Sequence, residues 1–350
     1  MAGTLTTSSA ERTIALCDQG IYERCEGTRP LDLLAQGMVE SASGNPETAK
    51  DLLSKACWSL EGEWKDRATV QLAVAYFRAG EYSEARALLA DVPESFDSLL
   101  TAALIETDSN PEQALELLAE AGTFDVSRYK WGRWHNQRGM CYRLLGSIDR
   151  AREEYEAALY FFGDSPLRAY VENNISAVLA KDDSRATLDR AIPSLSGPHL
   201  AHAYERKAQN LLSEGDPRRA LEYATWAVDL FTAANHRAWL IEALITRAKV
   251  YESIGESGDS IADLFRADEI ARYLGDPNLE LRTSKQLHES LRDVAKRFHR
   301  RSVDLALNST TSLNSAAHKL QISRPALQEY IRTHGINYTS QTRRSIIKKS

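Results

Sequence analysis

The side chains able to do chemistry in this 350-residue chain are few, and they do not gather into a catalytic pattern. His199 and His202 lie three apart, a spacing that puts both on one helix face, but no third ligand accompanies them, so a metal site is not indicated. Gly255-Glu256-Ser257-Gly258 falls between two helical patterns and follows no strand, so it does not open a phosphate loop. Cys17, Cys25, Cys57 and Cys141 are scattered, with no close pair, and read as small buried hydrophobes in a reducing cytoplasm. No Ser-His-Asp or Cys-His arrangement is legible, and the expectation is a protein that is not an enzyme, with no cofactor and no metal. Charge is more informative. From Ser309 onward seven basic residues face one acid, Glu329, giving +6 there and leaving −12 on the rest of a chain whose net charge is −6. A basic end on an acidic body is the pattern of one module that repels polyanions and another suited to binding one.

The elements that must position these residues are helices. No apolar run approaches the 18 or so residues of a membrane span. The N-terminus carries no apolar core after a basic start, so no secretory signal is expected. Residues 1–8 read as disordered, and Ala10 to Cys25 as one helix within a capping segment 9–29. From Gly132 to Phe162, His135, Gly139 and Tyr142 form one apolar stripe of helical period, and Ala151, Tyr155 and Ala158 another. Leu145-Gly146-Ser147 breaks them, and small Gly139 and Ala151 allow two helices to approach closely.

The same pair of small residues recurs as Gly37 with Ala49, Ala73 with Ala85, Ala102 with Ala114, Asn174 with Ala186, Ala208 with Ala220, and Ala248 with Ser260. The gap inside every pair is 12. Breakers often stand between the members: Gly44-Asn45-Pro46, Gly80, Asn110-Pro111, Gly215-Asp216-Pro217 and Gly255. The copy near Asn174 is degenerate, with Arg190 and Pro193 at its bulky and small sites, and its second helix is expected short or shifted. Trp131, Trp134, Trp226 and Trp239 are expected in repeat cores. This spacing resembles the tetratricopeptide repeat, a helix-turn-helix unit of about 34 residues. The fold expected is all-α: a TPR-like right-handed α-solenoid of about seven helical hairpins over 30–278, whose units stack to share one core.

Beyond the repeats, Leu279 to about Phe298 reads as a longer capping or linker helix (279–302) with Arg282, Lys285, Glu289, Arg292 and Lys296 on its outer face. Lys296-Arg297-His299-Arg300-Arg301 either faces a polyanion or is a solvated helix end. Residues 303–337 divide into a short helix ending near Leu307, a helix from Leu313 to Leu320, a turn at Gln321-Ile322-Ser323, and a helix to His334 capped by Ser323 and ended by Gly335. Leu320, Ile322, Leu327 and Ile331 are the expected core.

Ala306-Leu307, Ala316-Ala317, Leu320, Ile322-Ser323-Arg324, Leu327 and Gly335-Ile336 resemble the Fis-type helix-turn-helix family. That family usually has glycine where this chain has Gln321, a residue that would then need a left-handed conformation. Tyr170 to Ile175 and Arg343 to Lys349 are similar to a bacterial family of tetratricopeptide proteins ending in such a module, read as transcriptional regulators. The resemblance implies a second helix entering the DNA major groove by Ser323, Arg324, Pro325 and Gln328. Arg324 would take guanine and Gln328 adenine. Lys319 and Arg332 would meet phosphates, and the 338–350 tail, with Arg343, Arg344, Lys348 and Lys349, would follow the backbone or is merely a disordered basic end. A small module of this kind binds weakly alone, which suggests a homodimer. In the repeat family ligands lie in the concave groove. The matching positions here are Arg67, Arg78, Arg133, Asn136, Met140, Arg143, His202, Glu205, Gln209 and Lys249, which either bind a protein or peptide partner or form a solvated face. The function expected is a cytoplasmic DNA-binding regulator, with a non-enzymatic TPR scaffold as the alternative.

Overall fold

The computed structural model describes residues 8–23, 25–275, 277–310 and 312–336. The expected disorder at 1–8 therefore falls almost wholly outside the described residues, and the basic tail falls wholly outside them. Two compact units divide after Ser284.

The first unit begins with α1 (Ser9–Asp18), capped by a reciprocal Ser8–Glu11 pair. Seven antiparallel hairpins follow: α2 (Pro30–Ser43) with α3 (Pro46–Ser59), α4 (Gly62–Ala79) with α5 (Tyr82–Ala90), α6 (Phe96–Glu106) with α7 (Pro111–Ala121), α8 (Arg128–Leu144) with α9 (Ile148–Phe162), α10 (Leu167–Ile175) with α11 (Lys181–Ala191), α12 (Gly197–Ser213) with α13 (Pro217–Ala233), and α14 (Arg237–Ile254) with α15 (Ser257–Leu274). The described residues hold helices and no strands, an all-helical TPR-like solenoid. Each breaker noted in the sequence sits between the two helices of a hairpin. The second helix of most hairpins buries the same three positions, four and then three residues apart: Ala49-Leu53-Ala56, Ala114-Leu118-Ala121, Ala151-Tyr155-Ala158, Ala220-Ala224-Ala227 and Ser260-Leu264-Ala267. That spacing is one helix face, so each hairpin hands its neighbour an equivalent apolar stripe.

Two copies depart from the expected frame. In the third, Ala103 is fully buried and Ala102 only half-buried. In the fifth, Ala186, Arg190 and Pro193 are exposed, while Ser184, Leu188 and Ala191 carry the buried pattern. The stripe has slipped by two residues because α10 is only 9 residues long and runs into a 3-10 turn at Ser176–Val178. A 3-10 turn has a different rotation per residue from an α-helix, so the phase is lost. Three further expectations change. The first helix ends at Asp18, not Cys25, where Gly20 takes φ 80 and lies against Leu167. Trp226 is half-exposed beside Tyr204 and Tyr223. Arg282 does not stand free on an outer face; it pairs with Glu242.

The solenoid returns on itself. Gly44, between α2 and α3, meets Pro198 of α12 and Ala234; Gly80, between α4 and α5, meets Leu274 of α15. Trp239 of α14 packs into the cluster of Ala73, Phe77 and Ala85. Ser165 donates a 2.9 Å hydrogen bond to the Gln19 carbonyl. Hairpins one and two thus touch hairpins six and seven, so one turn closes after five repeats.

The second unit starts within α16 (Pro277–Ser309), a single 33-residue helix where two had been expected. Nothing between Phe298 and Val303 breaks it: the run carries neither glycine nor proline. It is followed by α17 (Leu313–Lys319) and α18 (Arg324–Thr333). Val303, Ala306 and Leu307 pack with Ala316, Ala317 and Leu327 into a small core of its own. Leu320 and Ile331 flank it, but Ile322 is 40% exposed and lies outside the core expected for it.

Candidate functional site

The first helices of the hairpins face the inside of the turn. There they line a partly open cavity of about 150 Å³, with walls from α1, α2, α4, α6, α8, α10 and α12 and one residue, Phe162, from the end of α9. Arg78, Arg133 and Asn136, expected in the groove, line it. Tyr22, Tyr170 and His199, not anticipated, join them.

Most local carboxylates are already engaged. Arg67 holds Asp18 at 2.7 Å, and Lys130 holds Asp97 at 2.6 Å. Burial raises the Asp97 carboxyl, yet Arg133, Lys130 and Arg67 together hold it below the usual carboxylate range. Arg78 has a 2.9 Å hydrogen bond to the neutral Ser41 hydroxyl. Burial lowers the Arg78 guanidinium from its ordinary value, and the nearby Arg133 charge acts in the same sense. His199 packs against the Tyr170 ring, tilted 51° with centroids 4.5 Å apart, and burial, then Arg78 and His202, push its imidazole down to about 3. It is therefore neutral at physiological pH.

A second group lies further along the same interior. Glu205 accepts from Gln209 and from Thr246, each at 3.1 Å, and lies 3.7 Å from His202. Burial and the Arg143 charge lower Arg206, whose Nε is buried with no hydrogen-bond partner among the described residues. Burial raises the Asp108 carboxyl, opposed by Arg143, His202 and Arg282. Met140 packs beside the first cluster, its sulfur 3.9 Å from the Asn136 amide and 4.0 Å from the Tyr170 hydroxyl. Lys249 is exposed on α14, away from the cavity lining.

Of the ten groove residues, Arg78, Arg133 and Asn136 line the cavity, Arg67 and Met140 contact its lining, and His202, Glu205 and Gln209 form the second group, with the Arg143 charge acting on it. The residues missed had weak signals. Tyr22 comes from a loop, Tyr170 from the first helix of the out-of-frame hairpin, His199 from the helix that follows that hairpin, and Arg282 from beyond the last repeat. Among the described residues no group of three His, Cys, Asp or Glu could hold a metal.

In the second unit, Ser323 caps α18 by accepting from the Ala326 amide at 3.3 Å. Ser323, Arg324, Pro325 and Gln328 are all exposed, while Leu327 between them is fully buried. The buried leucine turns the opposite face of the first turn outward. Arg332 is ion-paired with Glu329 at 2.5 Å, and Lys319 donates to the Ser309 hydroxyl at 2.9 Å. Lys296, Arg297, Arg300 and Arg301 are exposed along α16. Arg343, Arg344, Lys348 and Lys349 lie outside the described residues.

Tetratricopeptide repeat family models match residues 41–106 and 134–162. The chain therefore carries tetratricopeptide repeats, units that imply a scaffold for protein–protein interaction. Comparison with curated proteins gives no match. Among solved structures the chain is similar to the APC/C hetero-tetramer Cut9–Hcn1, at 12% identity and a TM-score of 0.57, over 86% of this chain and 55% of that one. It thus spans about half the length of that chain, and the likeness is one of fold. A Rap protein complexed with competence and sporulation factor aligns at 15% identity over 73% of this chain and 77% of that one, with a TM-score of 0.49. A signal-transduction ATPase with a tetratricopeptide repeat sensor from Pyrococcus horikoshii aligns at 14% over 77% and 52%, with a TM-score of 0.47. No helix of the described residues is long and apolar enough to cross a membrane.

Proposed function

We propose that this protein is a cytoplasmic DNA-binding regulator: its repeats hold a protein or peptide partner on the inner face, and α17–α18 form a helix-turn-helix that docks in the major groove. The observation that carries the reading is the exposed first turn of α18, with Ser323, Arg324, Pro325 and Gln328 outward around the buried Leu327. This is the end of a recognition helix that meets base edges. Arg324 has no hydrogen bond or ion pair among the described residues, so it reaches guanine without breaking one. Arg297, Arg300 and Arg301 add phosphate contacts. A second copy completes the reader. Leu291, Phe298 and Leu305, spaced by seven on α16, are 38%, 68% and 60% exposed, a seam suited to pairing with the same helix of another protomer.

A gel shift at two salt concentrations tests this. Salt-sensitive duplex binding is expected, abolished by deleting residues 303–350 and weakened by Arg324→Ala. Sedimentation should give a dimer that Phe298→Glu dissociates. The rival reading, a scaffold that binds no DNA, is favoured by one observation: Arg332 is already neutralised by Glu329. Duplex binding that is absent at low salt, with a protein partner still retained, would establish the rival.

A further inference from the structure

We propose that the closure of the repeat turn is a proton-operated latch: His199 and His236, while neutral, let hairpins one and two rest against six and seven, and their protonation releases that contact. The consequence for a partner deepens the reading of the inner face as its site and rests on it; the opening itself does not.

Both histidines stand at the return contacts. His199 follows Pro198, which meets Gly44, and His236 ends the Ala234-Asn235-His236 turn, whose alanine meets the same glycine. Asn235 reaches Glu47 of α3 at 3.4 Å. The His236 ring lies flat on Trp239, the residue that enters the cluster of Ala73, Phe77 and Ala85.

Neither ring is equipped to carry a charge there. His236 has no hydrogen-bond partner for either ring nitrogen, and His199 has none for its buried Nδ1, among the described residues. Around His199, Tyr170 of α10 packs on the ring, while Arg78 of α4, Arg133 of α8 and Tyr22 line the same cavity. Of the α1 groups on that lining, Asp18 is held by Arg67 at 2.7 Å, and burial pushes the Cys17 thiol up to about 12. The lining from α2 and α6 carries no titratable group. Around His236 stand Phe231 and Trp239, and the charged or titratable groups acting on it are Arg78, His202 and His199. His202 differs, since Glu205 lies 3.7 Å away to receive its charge. A proton on His199 or His236 thus faces the Arg78 cation from the other side of the closure, with no carboxylate paired to it among the described residues.

An unpaired charge removed from water is costly, and parting the hairpins returns the ring to water. The closed turn therefore excludes these protons, with His199 pushed down to about 3, whereas an opened ring titrates near the ordinary value of about 6.5. Closure is fully favoured above pH 6.5 and weakens as pH falls below it. From pH 7.5 to 5.0 each histidine should raise the open-to-closed ratio about thirtyfold, and the two together about a thousandfold. The closure yields before the hairpins do, because turn residues and one tryptophan form it, whereas each hairpin buries a full helix face.

The test is pulsed dipolar spectroscopy of the full-length protein, spin-labelled through ketone-bearing residues introduced at Lys55 of α3 and Arg219 of α13, both exposed, with helix content followed by circular dichroism. A single distance is expected at pH 7.5, and a second, longer one should grow as pH falls to 5.0 while helix content holds. His199→Phe and His236→Phe should each cut the pH-driven change in the ratio about thirtyfold, and the double variant should show none. Arg78→Gln should move the opening to lower pH, whereas His299→Gln, exposed on α16, should leave it in place. A variant that merely loosens the closure changes the ratio equally at both pH values. One distance at every pH down to 5.0, a longer distance that arrives only with loss of helix, or an undiminished response in the double variant would each overturn the proposal. None of these measurements uses a partner or duplex, so a failed latch leaves the regulator reading standing. A latch that opens in a protein binding neither partner nor duplex removes that reading alone.

Discussion

Gln321 sits at φ 57, one of two described non-glycine residues with a left-handed backbone. Side chains resist that conformation by roughly 1–2 kcal/mol, whereas glycine does not. Gln321→Gly should therefore stabilise the second unit by about 0.5–1 kcal/mol after glycine's larger entropy loss, read as a higher urea midpoint for that unit. His236 makes a different point. It is 2% exposed, stacks 3.9 Å from Trp239 with an interplanar angle of 2°, and has no hydrogen-bond partner for either ring nitrogen among the described residues. Burial, then Arg78, His202 and His199, hold its imidazole well below the ordinary value. The unfolded chain gains these protons near pH 6.5 and the folded chain does not. Stability from the neutral histidines is complete above pH 6.5 and drains as pH falls toward 3, the value of His199. Calorimetry should show Tm falling between pH 6.5 and 4.5, before carboxylates contribute, and His236→Phe should flatten that slope. An unchanged slope would place the acid sensitivity elsewhere.

At the scale of elements, the hairpins depend on close approach. A Cβ on Gly139 would lie 2.7 Å from the Tyr155 ring, and one on Gly37 would lie 2.5 Å from Leu53 Cγ. Both partners are fully buried, so Gly139→Ala should cost about 1–3 kcal/mol by forcing α8 from α9. Gly258→Ala is the control: its Cβ meets nothing within 4 Å, and equilibrium unfolding should show no loss. The sequence made these contacts legible because a small residue and a bulky one recur in fixed phase. The same logic fails at α10–α11, where Lys181-Asp182-Asp183 replaces the turn glycine that most hairpins carry and the 3-10 turn shifts the stripe. A pattern matched by counting residues assumes constant rotation per residue, and that hairpin does not keep it.

Within the whole first unit, closure couples distant repeats. Trp239 packs on the α4 cluster and beside His202 and His236. Trp239→Ala should cost about 2–4 kcal/mol and lower hydrogen-exchange protection in α4 as well as α14. In a solenoid with contacts only between neighbours the loss would stay in α14, and that result would show the turn to be open in solution. Closure also narrows the groove, since α12 sits opposite α2 and α14 opposite α4.

The sequence by itself determined the hairpins, their breakers, the shared apolar stripe and the exposed first turn of α18, because each follows from periodicity and capping within some 35 residues of chain. It also marked most of the inner-face cations, since first-helix positions repeat with the hairpin. Tertiary structure alone decided that the fifth hairpin slips, that α16 runs unbroken, that Trp239 crosses the turn, and that Arg78 and Arg133 share a cavity with Tyr22, Tyr170 and His199. Those outcomes depend on small rotations between successive repeats. Such rotations accumulate over five hairpins, and no local pattern of residue types records their sum.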